Sequence, residues 1–320
     1  MENNTNATQS NKNDFSDIIN GETSQNASTS TAGTITQPSK TDGSSTGMSQ
    51  ADIYSDEELI DVNAITTNIA DTTTPIVIFF GPASSGKTMA LLRMVRYFES
   101  VMGYTVKADR TFRPSYDRNY TRMCDSLITK ANDTYAPDPN DTIMFMLVTV
   151  YDKGGKPIFQ ILEAPGEHYF DPEVPTAAFP AYIERIIHSI NNRKIWVYFV
   201  EQDWKDQRDR NNYAAKISQM QALTPKDRIL FLFNKCDKQM HQYDPSGRPR
   251  SELFMTQINN QYPGIFSRYT NSGIAKFLFG PYNFSPICFS VGTFSSTKDG
   301  RQVWNIGQNF YCEQLLKAIR

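Results

Sequence analysis

The chain is poor in the residues that build stand-alone reactive centres, with three histidines and four cysteines in 320 residues. Cys124, Cys236, Cys288 and Cys312 are scattered without metal-ligand spacing, so they read as reduced thiols of a cytoplasmic protein. No apolar run approaches the ~18 residues of a membrane span, and no positively charged, apolar leader opens the chain, so neither a span nor secretion is expected. Charge of either sign is also lacking in excess. The 32 basic and 34 acidic residues leave a formal net charge of −2 and no patterned basic patch, which excludes a nucleic-acid footprint.

The first seventy residues lack aromatics apart from Phe15 and Tyr54 and are rich in Ser, Thr, Asn, Gln and Gly. Such a composition buries too little apolar surface to offset ordering entropy, so 1–50 is expected as a disordered tail. Residues 51–72 follow as an acidic linker or short docking segment, with helical potential in Asp52 to Val62.

What the chain does have is Gly81-Pro82-Ala83-Ser84-Ser85-Gly86-Lys87-Thr88, a match to G-x-x-x-x-G-K-[ST] at every defined position. The buried-strand run Pro75–Phe80 enters it and a helical segment from Met89 leaves it, which is the context a phosphate-binding loop requires. Backbone N–H groups of the loop, including those of Ser84 and Ser85, and the positive end of the helix then face an anion. Gly81 and Gly86 allow close backbone approach, Lys87 reaches the β- and γ-phosphates, and the Thr88 hydroxyl is placed for magnesium.

A second motif, Asn234-Lys235-Cys236-Asp237, follows the apolar run Arg228–Phe233. It therefore sits at the carboxyl edge of a parallel sheet, where open α/β folds bind ligands. With both motifs in this order, the sequence resembles the Ras-like P-loop GTPase superfamily over roughly residues 73 to 320. The resemblance implies an α/β P-loop NTPase fold: a mostly parallel sheet with one antiparallel edge strand and helices on both faces. It also implies that Asp237 accepts from the guanine N1 and N2 hydrogens, that Asn234 binds the base and braces the phosphate loop, and that Lys235 lies along the ring. A buried carboxylate left unpaired is costly, so adenine would be rejected.

The resemblance further implies a strand ending in Asp-x-x-Gly, for which this chain offers Glu163-Ala164-Pro165-Gly166. Glu163 would assist magnesium through its water shell and Gly166 would sense the γ-phosphate. Where many members carry a water-orienting glutamine, this chain has Glu167 followed by His168; both are candidate catalytic groups, with an exposed, non-catalytic loop histidine as the blander alternative. The first-switch threonine is open between Thr142 and Thr134. Ser290, in the strand and loop Pro286-Ile287-Cys288-Phe289-Ser290-Val291-Gly292, stands where the family supports the base. Arg110, Arg113, Arg118 and Arg122 lie in a long polar stretch that reads as solvated surface.

Periodicity predicts strands at 75–80, 142–151, 157–163, 194–201, 228–233 and 285–291, and helices at 88–100, 178–191, 206–222, 250–262 and 303–319, with a hairpin turn at Lys153-Gly154-Gly155-Lys156. The insertion after Asp237 carries Phe254, Tyr262, Phe266, Tyr269, Phe277, Phe279 and Tyr282, read first as a local core and second as a partner surface. The expected function is magnesium-dependent GTP hydrolysis by a conformational switch that cycles between GTP and GDP, with a protein partner at its switch loops or insertions. Two alternatives stand beside it: a non-hydrolysing scaffold, and an ATPase or small-molecule kinase that would leave Asn234 to Asp237 unexplained.

Overall fold

The computed structural model describes residues 55–320 except 138–144, 189, 203 and 221–225, all within one unit spanning Thr46–Arg320. The first-switch candidate Thr142 and the tail lie outside the described residues.

Seven strands form one sheet in the order β2-β3-β4-β1-β5-β6-β7. They are β1 (Ile76–Phe80), β2 (Thr105–Ala108), β3 (Met146–Tyr151), β4 (Pro157–Glu163), β5 (Lys194–Glu201), β6 (Arg228–Asn234) and β7 (Ser285–Cys288). From β4 to β7 all pairings are parallel, and β3 runs antiparallel to β4. The antiparallel strand expected at the edge has one further neighbour, since β2 pairs with its outer side. That strand was missed because Thr105-Val106-Lys107-Ala108 is short and half polar, as edge strands usually are.

The central strands are apolar on both faces because both faces are covered. Every residue of β1 is buried. Phe159 of β4 packs against Phe98 behind helix α2 (Lys87–Tyr97), while Phe80, on the opposite face, packs against Tyr169 and Tyr213. Tyr169 ends the short helix α4 (Gly166–Tyr169), Ala181–His188 forms α5, Tyr213 belongs to α6 (Gln207–Ser218), and Ser251–Gln261 forms α7. The Asp152–Lys156 turn closes the β3–β4 hairpin as expected, with Gly155 at φ 77°.

Three expectations need correction. The long polar stretch is largely helix α3 (Arg118–Asn132), capped by Asp117, whose side chain accepts from the Tyr120 N–H. Arg113, expected as solvated surface, is 3% exposed and is held by Glu58 at 2.6 Å and Asp117 at 3.0 Å. Glu58 belongs to α1 (Asp56–Ile60), a helix with a Ser55 capping box that lies against the domain body through this pair. Finally, the helix expected over 303–319 begins only at α9 (Phe310–Ile319), because Gln302–Ile306 is strand β9, paired antiparallel with β8 (Gly292–Ser296). The missed signal is Asp299-Gly300, with Gly300 at φ 84° in a tight turn, after which Trp304 is the buried residue of β9.

Candidate functional site

The carboxyl ends of β1, β4, β5 and β6 converge on two adjoining clefts. The first, about 340 Å³, is lined by Ala83, Ser84 and residues 86–89 of the phosphate loop and the helix it enters, and by Glu163 to Glu167. The second, about 330 Å³, is lined by Asn234, Lys235, Asp237, Lys238 and Val291 to Phe294. Gly86 and Met89 line both, so they form the wall between them.

The loop leaves β1 and turns into α2 with Gly86 at φ 87°. A side chain there would collide with Asn234 Nδ2 at 2.5 Å, so the glycine is required by the second motif as much as by its own backbone angle. Asn234 Nδ2 donates to the Ser85 carbonyl at 2.7 Å, which locks the end of β6 onto the loop. Lys87 is 6% exposed and donates to the carbonyls of Gly81 and Pro82 at 2.9 and 3.0 Å. Burial lowers its pKa, while the carboxylates of Glu163 and Glu167 oppose that shift.

Glu163, the last residue of β4, is 1% exposed and accepts from the Thr88 hydroxyl. Burial raises its pKa, with Thr88 and then Lys87 pulling the other way. Its Oε2, together with Ser85 Oγ and Asn234 Oδ1, is a buried polar atom without a protein partner. These three atoms cluster around the loop, where a bound polar group could pair with them. The Thr88–Glu163 pair fits a hard, mostly hydrated cation such as magnesium, which takes only one or two protein oxygens. Among the described residues, no group of three or more His, Cys, Asp and Glu side chains is poised to hold a metal.

Gly166 packs directly on the loop. A Cβ there would stand 2.1 Å from the Ala83 nitrogen and 2.3 Å from the Pro82 carbonyl carbon, so no other residue fits. Glu167 is exposed and lines the cleft, whereas His168 does not line it. His168 is not a fully exposed loop residue. Its Nδ1 lies 2.7 Å from Tyr182 Oη, and burial, aided by Lys87, lowers its pKa to about 4.

In the second cleft, Asp237 accepts from Ser290 Oγ at 2.5 Å, and that hydroxyl also accepts from the Gly292 N–H at 3.1 Å. The loop after β7 reaches Asp237 because the Phe289 N–H bonds the Phe233 carbonyl and the Cys236 N–H bonds the Phe289 carbonyl. Cys236 is buried and its thiol is pushed up to about 12 by burial, so it is structural. Lys235, at φ 55°, is ion-paired with Glu201 at 2.6 Å, and its Nζ is 3.4 Å from the Ser84 carbonyl. Ser84 itself sits at φ 62°. Of three described non-glycine residues with positive φ, two are on the two motifs, where strain is commonly kept for function.

The geometry brings together Gly81, Ser84, Ser85, Gly86, Lys87, Thr88, Glu163, Gly166 and Glu167 on one side and Asn234, Lys235, Asp237 and Ser290 on the other. Thr134, the second first-switch candidate, serves elsewhere: it is exposed, and its carbonyl accepts from the Trp304 N–H at 2.7 Å. Sequence reasoning missed Glu201, whose only signal was its place at the carboxyl end of a buried strand, and Met89 and Phe294, which line the clefts.

Sheet order and loop together define an α/β fold of the P-loop class. No protein-family model and no curated protein matches the chain. Among solved structures, the chain is similar to a nucleolar GTP-binding protein 1 from Plasmodium falciparum, at 14% identity and a TM-score of 0.34 over 70% of this chain and 80% of that one. It is also similar to the GTP-bound Ski7 GTPase-like domain of S. cerevisiae, at 15% identity and a TM-score of 0.35 over 77% of this chain and 50% of that one.

Proposed function

We propose that this chain binds guanine nucleotide, hydrolyses GTP with magnesium and works as a conformational switch. The supporting observation is the pair of clefts meeting at Gly86 and Met89, one lined by Lys87, Thr88 and Glu163 and the other by Asn234, Lys235 and Asp237. In this reading Lys87 and the loop amides neutralise phosphate charge, and Thr88 and Glu163 would hold the ion, which would supply further charge neutralisation. Asp237, pre-set by Ser290, selects guanine. Gly166 is close enough to the loop for its N–H to respond to a γ-phosphate, and Glu167, on the cleft wall, takes the proton of the attacking water or orients it. His168, braced by Tyr182, acts as a positioning residue for that wall. Loss of the γ-phosphate would release the segment around Gly166 and alter the surface offered to a protein partner.

Phosphate release under multiple turnover, compared between the parent and Lys87→Ala, tests the enzymatic half. Turnover by the parent that disappears in the variant is expected; release surviving in Lys87→Ala would refute it.

One observation favours a second reading, a scaffold that holds nucleotide without hydrolysing it. Glu167 places a carboxylate on the wall of the phosphate cleft, where it would repel a γ-phosphate. That reading predicts bound nucleotide and no release above background. An ATPase or kinase reading leaves the Asp237–Ser290 bond without a purpose.

A further inference from the structure

Helix α8 (Gly273–Phe279) has no buried residue. Ile274, Phe277, Leu278 and Phe279 are 78%, 89%, 62% and 77% exposed, whereas the other exposed large apolar side chains of the described residues are scattered along the chain. Ile274, Phe277 and Leu278 fall at i, i+3 and i+4 and make one stripe, Phe279 widens it, and Lys276 projects from the opposite side. Four large apolar groups on two turns of helix exceed what solitary surface residues explain.

The helix is displayed rather than loose. Its ends are pinched together by the Asn271 N–H on the Pro281 carbonyl at 2.9 Å, by Asn271 Nδ2 on the Gly280 carbonyl at 2.9 Å, and by a bridge between Thr270 and Tyr282. Beneath this neck, Phe231, Phe266, Tyr269, Tyr282 and Phe284 form a packed aromatic pedestal with ring centroids 4.6–6.5 Å apart. The aromatics of this insertion therefore divide: Phe254, Tyr262, Phe266 and Tyr269 are core, and Phe277 and Phe279 are not.

We propose that α8 inserts into the interface of an anionic lipid bilayer. Three features select that occupant. The exposed Ile274, Phe277, Leu278 and Phe279 span roughly 200° of the helix circumference at about 100° per residue, which lipid surrounds and a flat protein face does not. Between Phe266 and Phe284, the excursion that carries the helix, the charged residues are Arg268 and Lys276, with no Asp or Glu, so it is cationic and complements acidic headgroups. Lys276, opposite the apolar stripe, has a stem long enough to reach the headgroup layer while the stripe lies in the acyl boundary. No helix among the described residues is long and apolar enough to cross a membrane, so the contact is interfacial. The inference does not rest on the nucleotide reading.

Sedimentation of the full chain with phosphatidylcholine vesicles, with and without about 30% phosphatidylserine, tests it. The parent is expected to sediment with the anionic vesicles, and Phe277→Asp/Phe279→Asp to lose binding at least about tenfold, because two apolar anchors become charges. Since α8 buries nothing, that variant keeps its fold, checked by an unchanged melting temperature. Lys276→Glu should weaken binding about threefold, and only to anionic vesicles. A parent that stays in the supernatant, a double variant that binds as well as the parent, or a lipid-independent dimer dissolved by the double variant would each overturn the proposal.

Discussion

The two clefts of the site are built on different physical plans. On the phosphate side, Lys87 and Glu163 are buried together, each with its charged form penalised by burial, and Ser85 Oγ and Glu163 Oε2 lack partners. In the second cleft, Asp237 is held by Ser290 and Lys235 by Glu201, so the two charged groups are already paired and aimed, while Asn234 Oδ1 is left without a protein partner. One half is electrostatically incomplete without a ligand, and the other is organised in advance. Affinity should therefore reside in the phosphate side and selectivity in the base side, since preformed, paired groups discriminate while desolvated charges supply binding.

The sharpest break of this contrast is Lys87→Ala. Losing the charge-assisted contacts to phosphate should weaken GTP and ATP alike by about 10³-fold, roughly 4 kcal/mol, in calorimetry. A variant that loses GTP but keeps ATP would place selectivity on the wrong side.

Next in size is a pH effect from His168, which packs against Tyr182 behind the first cleft. His168 has its pKa lowered to about 4 in the folded protein, against about 6.5 unfolded. Between those values the unfolded chain binds more protons, so stability is complete above pH 6.5 and falls as the pH drops towards 4, by about 3 kcal/mol in all. Urea unfolding of the parent and His168→Gln across this window checks it; the variant should lose that part of the slope, and an unchanged profile would contradict the burial argument.

Asp237→Ala should act on the other side alone. The preference for GTP over ATP is expected to fall about 30-fold, roughly 2 kcal/mol, with little change in how magnesium affects binding. Smallest is Ser290→Ala, which removes one hydrogen bond to Asp237 and should cost about fivefold in GTP affinity, or roughly 1 kcal/mol, without touching ATP. Equal losses for both nucleotides would mean that Ser290 supports the fold rather than the base contact.

Much of this site was legible because its residues sit where strands end. The loop at Gly81 to Thr88 and the segment at Asn234 to Asp237 each follow an apolar run that could only be a buried parallel strand, so their meeting at one sheet edge followed from the pattern. Glu201 was hidden because a glutamate ending a strand has no local signature; only the cation brought in by Lys235 gives it meaning. Arg113 was misread for the same reason. Its burial depends on Glu58, fifty-five residues earlier, a partner no local window contains. Residues 303–306 read as the start of a helix because Val303 and Ile306 stand three apart, a spacing a helical stripe shares, and the Asp299-Gly300 turn decides for β9 instead.

The most direct test of the central claim is calorimetric binding of GTP, GDP and ATP, with and without magnesium, to the parent and Asp237→Ala. Guanine-selective binding by the parent that is lost in the variant is the expected result; ATP binding as tight as GTP in the parent would contradict it.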